Sequence, residues 1–177
     1  FGGLFGPQAV GSGKTLVTFL APVVLDAKRP LLILPAKLRE KTIREMARYQ
    51  DHFRIRPIPI LSYEMLGREQ GEQALRDANP DLIIADECHR LKNSRAAVTR
   101  RVARWMREHP TTKFVAVSGT ITKRSLRDYA HIIKWCLPFG SPLPVTQHDL
   151  EEWSSALDEK IEDMQRLGVG GLVQLCR

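Results

Sequence analysis

Cysteine is scarce and scattered: Cys88, Cys136 and Cys176 stand far apart and odd in number. That spacing excludes a zinc cluster and a disulfide framework, and it suits reduced thiols. Long apolar runs are also missing. Pro22 and Lys28-Arg29 interrupt the most apolar early segment, well short of the roughly 18 residues that span a bilayer, so no membrane partner is expected. There is no internal repeat, no low-complexity tract and no signal peptide. The chain opens at Phe1 and runs straight into glycines, which reads as a piece of a longer protein. The expected setting is soluble and intracellular, in the cytoplasm or beside nucleic acid in a nucleoid or nucleus. Acids are outnumbered, 20 against 27 lysines and arginines, and the net charge of +7 favours a polyanionic partner. The 177 residues, 43% hydrophobic and 27% charged, suffice for one well-filled core with a small appendage.

What is present centres on two motifs. Gly11-Ser12-Gly13-Lys14-Thr15 is a glycine-rich loop opening a helix. Unhindered backbone N–H groups there can wrap phosphate oxygens, Lys14 can reach the β and γ phosphates of ATP, and Thr15 can ligate Mg2+. Gln8 stands where the generic phosphate loop carries its first glycine, while Gly11 and Gly13 supply the tight turn. Farther on, Leu82-Ile83-Ile84-Ala85 is an apolar run ending in Asp86-Glu87-Cys88-His89. A buried strand ending in two carboxylates lets Asp86 hold the Mg2+ shell and Glu87 orient and deprotonate a water. Lys14 and Glu87 are thus the candidate catalytic residues.

Around these motifs the pattern alternates strand and helix. Strands are expected over Gly3 to Phe5, Leu31 to Leu34, Leu82 to Ala85 and Lys113 to Ser118; helices over Lys14 to Ala27, Ala36 to Tyr49, Ser94 to Glu108 and Ser125 to Cys136. Ile55 to Leu61, broken by Pro57 and Pro59, is either an edge strand or one of which only Ile58 to Leu61 pairs. The alternation predicts an α/β fold, a parallel sheet with helices on both faces. A Pro/Gly-rich linker follows Cys136, and Leu150 to Leu167 has the spacing of an amphipathic helix. Two units are expected, an ATP-binding domain over 1–138 and a linker with a C-terminal helical extension over 139–177. Arginines are densest between Arg90 and Arg107, on a segment where Val98, Val102, Trp105 and Met106 recur at helical spacing. That basic face is either simply solvated or in contact with phosphates.

Val117-Ser118-Gly119-Thr120 supplies a third motif at the end of the last strand. In this order the three resemble motifs I, II and III of superfamily 2 helicases and translocases. Asp86-Glu87-Cys88-His89-Arg90-Leu91-Lys92-Asn93 is similar to the corresponding box of Snf2-like DNA translocases, Leu32 to Ala36 to their motif Ia, and Leu61 to Leu66 to their motif Ib. The resemblance covers about residues 2 to 138 and implies the first of two RecA-like lobes of a P-loop fold. It departs from the family at Ile121, where proline is usual, and at Arg124, where asparagine is common.

The resemblance further implies an ATP- and Mg2+-dependent hydrolase acting on nucleic acid, with double-stranded DNA as the expected partner. Cys88 leaves duplex RNA open, because RNA-sensing relatives share the box. His89, Ser118, Gly119 and Thr120 would relay nucleotide state to the track. Lys37, Ser62, Tyr63 and Arg95 follow strand ends or the box and are its candidate nucleic-acid contacts, although Lys37 also reads as a solvated first-turn residue and Tyr63 as a core ring. A second RecA-like lobe, with its arginine fingers, is expected in the same full-length protein. Two alternatives stand beside this reading: a phage-type DNA-packaging (terminase-type) ATPase and an ATP-gated nucleic-acid clamp without turnover.

Overall fold

In a computed structural model the protein is described over residues 2–9, 11–119, 125, 127–144 and 146–157. Thr120, Ile121, Arg124, Cys176 and the expected helix beyond Leu157 lie outside these residues. Five parallel strands make one sheet: β1 (Gly3–Pro7), β2 (Pro30–Leu34), β3 (Ile60–Ser62), β4 (Leu82–Asp86) and β5 (Lys113–Ser118). Their spatial order is β1-β5-β4-β2-β3. The last strand therefore lies between the one that enters the phosphate loop and the one that ends in the carboxylates. Register carries that into position, with Pro7 opposite Ser118 and Asp86 opposite Val117. Three strand ends meet at the carboxyl edge of the sheet, where α/β folds bind their ligands.

The central strands are apolar on both faces because helices cover both. Leu31, Ile33, Ile83, Ala85, Phe114 and Ala116 face one core, closed by α5 (Ala97–Glu108) and α6 (Arg127–Cys136) through Val102, Trp105, Ile132 and Cys136. Leu32, Leu34, Ile84, Val115 and Val117 face the other, closed by α1 (Lys14–Val24) and α2 (Arg39–Gln50) through Phe19 and Met46. The alternation along each strand is the two-residue period of a pleated chain. The fold is the expected α/β, RecA-like arrangement.

Several boundaries differ for local reasons. The first helix ends at Val24 rather than Ala27, because Asp26 turns to φ 49° and Lys113 Nζ closes the end by donating to Leu25 O at 2.6 Å. Residues 36–49 divide into a 3₁₀ turn (Ala36–Leu38) and α2. Pairing in the proline-broken segment begins at Ile60, while Ile55 and Ile58 are buried as anchors of the lead-in. Two short helices were not expected. α3 (Tyr63–Gly67) starts where Ser62 Oγ accepts from Met65 N–H at 3.0 Å, and α4 (Gly71–Ala78) ends at Asn79 in the left-handed region. After the linker, α7 (Gln147–Leu157) packs on α6, with Leu150 buried and Arg127 paired to Glu151 at 3.2 Å.

Candidate active site

The phosphate loop is shaped by its glycines. Gly11 and Gly13 hold φ of 85° and 84°, a region costly for residues with a side chain, and Gly13 caps α1. A Cβ at either position would meet nothing within 4 Å, so both glycines front an open cradle. Ser12 tightens the turn by donating to Ala9 O at 2.7 Å. Lys14 Nζ lies over the mouth of the loop, donating to the carbonyls of Gln8 (3.2 Å) and Ala9 (3.1 Å). Thr15 follows in the first turn of α1. Open amide-lined space, an ammonium above it and the N-terminus of an eleven-residue helix fit a polyphosphate.

Across the strand ends, Asp86 is the last residue of β4 and Glu87 sits in the left-handed region at φ 55°. An L-residue there costs roughly 1–2 kcal/mol, and such strain collects at functional sites. Asp86 Oδ1 accepts Glu87 N–H at 2.9 Å and stabilises the turn. Burial, then the neighbouring Glu87, pushes the Asp86 carboxyl above its ordinary range, against the opposing pull of Glu87 N–H and Lys14. A half-buried carboxylate whose charge is opposed by burial and by Glu87 is an oxygen donor suited to Mg2+, with the Thr15 hydroxyl in the first turn of α1 as a second candidate.

Glu87 is held by the third motif. Ser118 donates to Glu87 Oε2 at 3.3 Å, and His89 Nδ1 lies 3.2 Å from Ser118 Oγ and 3.2 Å from the same carboxylate oxygen. With the Ser118 proton on Glu87, the second bond requires a proton on His89 Nδ1. Gly119 follows directly. The structure therefore unites Lys14, Asp86, Glu87, His89 and Ser118, drawn from three separate stretches of chain.

The four expected nucleic-acid contacts separate. Lys37 and Arg95 are exposed, Lys37 on the 3₁₀ turn after β2 and Arg95 in the loop before α5. Ser62 is occupied as the α3 cap. Tyr63 is different: only 4% exposed, it donates its hydroxyl to Asp86 O at 2.8 Å beneath the carboxylate turn. Burial, followed by the nearby Cys88, Asp86 and Glu87, raises the phenol well above its ordinary value and keeps it a donor. Tyr63 braces the site and offers no surface to a track. The basic helix α5 divides similarly. Arg101 Nη1 donates to Leu66 O, and Arg104 pairs with Glu72 at 2.7 Å, which also takes Arg76 at 3.1 Å. Those two arginines fasten α5 to α3 and α4.

One linking residue escaped the sequence reading. Glu64 accepts Ala36 N–H at 2.9 Å and lies 3.5 Å from Arg90 Nη2, tying the ends of β2, β3 and β4 together. Partial burial acts to raise its carboxyl, but the Ala36 and Glu64 N–H groups, Arg90 and Lys37 together hold it below the ordinary range. Its signal was its place directly after Tyr63 in the Leu61 to Leu66 segment. Cys88 is buried and its thiol is pushed up to about 12 by burial, then by Glu87 and Asp86, so it is an inert packing residue.

Comparison with known proteins adds an independent line. The SNF2-related domain family matches residues 24–177, a stretch beginning after the phosphate loop. The chain is 39% identical over 71 residues, 40% of its length, to the transcriptional regulator ATRX homolog of Drosophila melanogaster. It is 27% identical over 119 residues, 67% of its length, to the DNA repair and recombination protein RAD54 of Saccharomyces cerevisiae. It spans 5% of the first relative and 13% of the second.

Proposed function

The chain belongs to the SNF2-related domain family, and on that footing we propose that it is the ATP-binding lobe of a DNA-dependent ATPase that translocates on double-stranded DNA. The observation that carries the proposal is the clasp at the carboxyl edge of the sheet: Glu87, strained and aimed by Ser118 and His89, beside a glycine cradle overhung by Lys14. Bound ATP and its Mg2+ supply a phosphoryl group made ready for transfer to water. Lys14 and the amides of residues 11–15 hold the phosphates, and Thr15 with Asp86 holds the metal. Glu87 takes the proton of the attacking water. Ser118 and His89, attached to different strand ends, communicate the state of that carboxylate to the loop after β5 and to the box after β4.

DNA is favoured over RNA because one relative is named for DNA repair and recombination. The net charge of +7, with Lys37 and Arg95 exposed, suits contacts to a phosphate backbone. The packaging-ATPase reading has no supporting observation once the family is the SNF2-related one. The clamp reading is disfavoured by Glu87, because a site without turnover has no use for a strained, doubly held carboxylate.

Steady-state ATP hydrolysis by the intact protein, with duplex DNA, single strands or duplex RNA added, tests the proposal. Duplex DNA is expected to stimulate most. Glu87→Gln is expected to retain fluorescent-nucleotide binding and lose about a hundredfold or more in turnover, because an amide cannot accept the proton. Lys14→Ala is expected to lose binding itself. Stimulation by RNA alone would move the protein to an RNA track, and no stimulation by any nucleic acid would remove the translocase reading. The chain by itself should turn over poorly, since arginine fingers from a second lobe are worth about 10³ to 10⁵ in rate.

A further inference from the structure

A cavity of about 570 Å3 opens at the amino edge of the sheet, away from the phosphate loop. A five-residue strand separates the two edges, roughly 16 Å at 3.3 Å per residue. The second half of α1 forms one wall and the segments entering β2 and β3 form the others, with Phe19, Pro22, Pro57 and Pro59 as its apolar surface. Pro22 cannot donate the helical bond to Thr18 O, yet it stands inside α1, where its ring joins this wall.

Four cations border the cavity, and they are not equivalent. Lys28 Nζ is paired to Asp26 at 2.5 Å, and Arg29 Nε donates to Asn79 O at 2.7 Å. Arg54 and Arg56 are exposed and have no hydrogen bond or ion pair to any described residue. Local structure puts them side by side. Ile55 is buried between them and its N–H donates to Phe53 O at 2.7 Å, a tight turn that leaves Arg54 and Arg56 at the surface on either side of the anchor.

We propose that this groove docks an acidic peptide segment of a partner protein, its carboxylates on Arg54 and Arg56 and an apolar side chain against Pro22 and Pro57. Charge complementarity selects an anion, since the single bordering acid, Asp26, already has its lysine. The concave apolar wall selects a peptide, because a nucleic-acid backbone would meet the arginines but leave Pro22, Pro57 and Pro59 without an apolar partner. Guanidiniums grip carboxylates bidentately, which gives the contact direction as well as charge. The site stands apart from the ATP reading and does not depend on it.

The test is fluorescence polarisation with the intact protein and a fluorescein-labelled peptide carrying glutamates at alternate positions and flanking leucines. Saturable binding is expected, weakened about tenfold or more in the Arg54→Glu/Arg56→Glu variant. It should be weakened less by Arg54→Lys/Arg56→Lys, which keep the charge and lose the bidentate grip, and reduced when serines replace the leucines. An unchanged thermal unfolding midpoint of the charge-reversed variant would establish that it is folded, and keeps this result separate from the fate of the ATPase proposal. Absence of saturable binding, or equal affinity for the charge-reversed variant, would overturn the proposal. So would displacement of the peptide by duplex DNA with the same arginine dependence, which would make the groove a nucleic-acid surface.

Discussion

The hydroxyl of Ser118 reaches Oε2 of Glu87 across 3.3 Å and thereby joins the end of β5 to the end of β4. Strand order makes the bond available. With β5 between β1 and β4, a residue at its tip stands between the phosphate loop and the carboxylate turn. Ser118 is buried at 1% exposure, so its position is set by core packing.

Loss of that hydroxyl should affect chemistry more than binding. In Ser118→Ala the glycine loop is untouched, while Glu87 Oε2 loses one of its two neighbours, Ser118 Oγ and His89 Nδ1. A misplacement of about 1 Å can cost on the order of a hundredfold in rate. The expected outcome is a kcat lowered by roughly tenfold to a hundredfold with KM for ATP nearly unchanged, measured in the intact protein with duplex DNA added. A rise in KM at constant kcat would instead assign Ser118 to nucleotide binding.

Neutralising exposed and engaged cations should have different consequences. Lys37→Ala and Arg95→Ala are expected to weaken duplex DNA binding evenly across sequences and to reduce the salt slope by about one each, as lost phosphate contacts do. Arg101→Ala is expected to leave DNA affinity in place and lower the thermal midpoint, because its guanidinium is committed to the Leu66 carbonyl. Filter binding over a salt series, alongside thermal unfolding, separates the two classes. An equal loss of affinity in all three would return α5 to the DNA surface.

The difference between Arg101 and Arg95 marks where sequence alone ran out. Period and motif located the central strands: Lys113–Ser118 was legible to the residue, because the apolar run Phe114-Val115-Ala116-Val117 lies between polar ends. The glycine loop and the Asp86-Glu87 turn were legible because their chemistry is local. Direction of side chains was not. Tyr63 reads equally as a strand-end contact and as a core ring until α3 turns it under Asp86, and Arg104 as either solvated or phosphate-contacting until α4 brings Glu72 beside it. Helices of five and eight residues carry too few turns for periodicity to register, so neither rotation could be foreseen. Glu64 was hidden for the same reason, since its partners Ala36 and Arg90 belong to other strand ends.

Tyr63 offers a clean substitution. Phenylalanine keeps the buried ring and removes only the hydrogen bond to Asp86 O. Leaving a buried carbonyl without its donor costs about 1–3 kcal/mol. Tyr63→Phe should therefore lower the unfolding midpoint and reduce turnover, while duplex DNA affinity stays at the wild-type value. Denaturant titration and DNA binding on the same preparation decide it. Weakened DNA binding with unaltered stability would restore Tyr63 as a contact.

Asp86 carries the opposite expectation for stability. Its folded carboxyl is raised above its unfolded value, first by burial and then by Glu87, so ionising it costs the fold free energy. The penalty is absent below the unfolded value, near 3.9, and is fully felt once pH exceeds the raised folded value. Asp86→Asn retains an oxygen to accept Glu87 N–H and removes the charge. In the absence of nucleotide and Mg2+, the variant is expected to unfold at a higher temperature than wild type at neutral pH. That advantage should shrink as pH falls and vanish below about 4, while Mg2+-dependent nucleotide affinity is lost at every pH. Thermal unfolding from acid to neutral pH, with and without ATP and Mg2+, measures both effects. An Asp86→Asn variant less stable than wild type at neutral pH would show that the carboxylate is held by favourable partners in the fold, and is not kept there at a cost to stability for the sake of the metal.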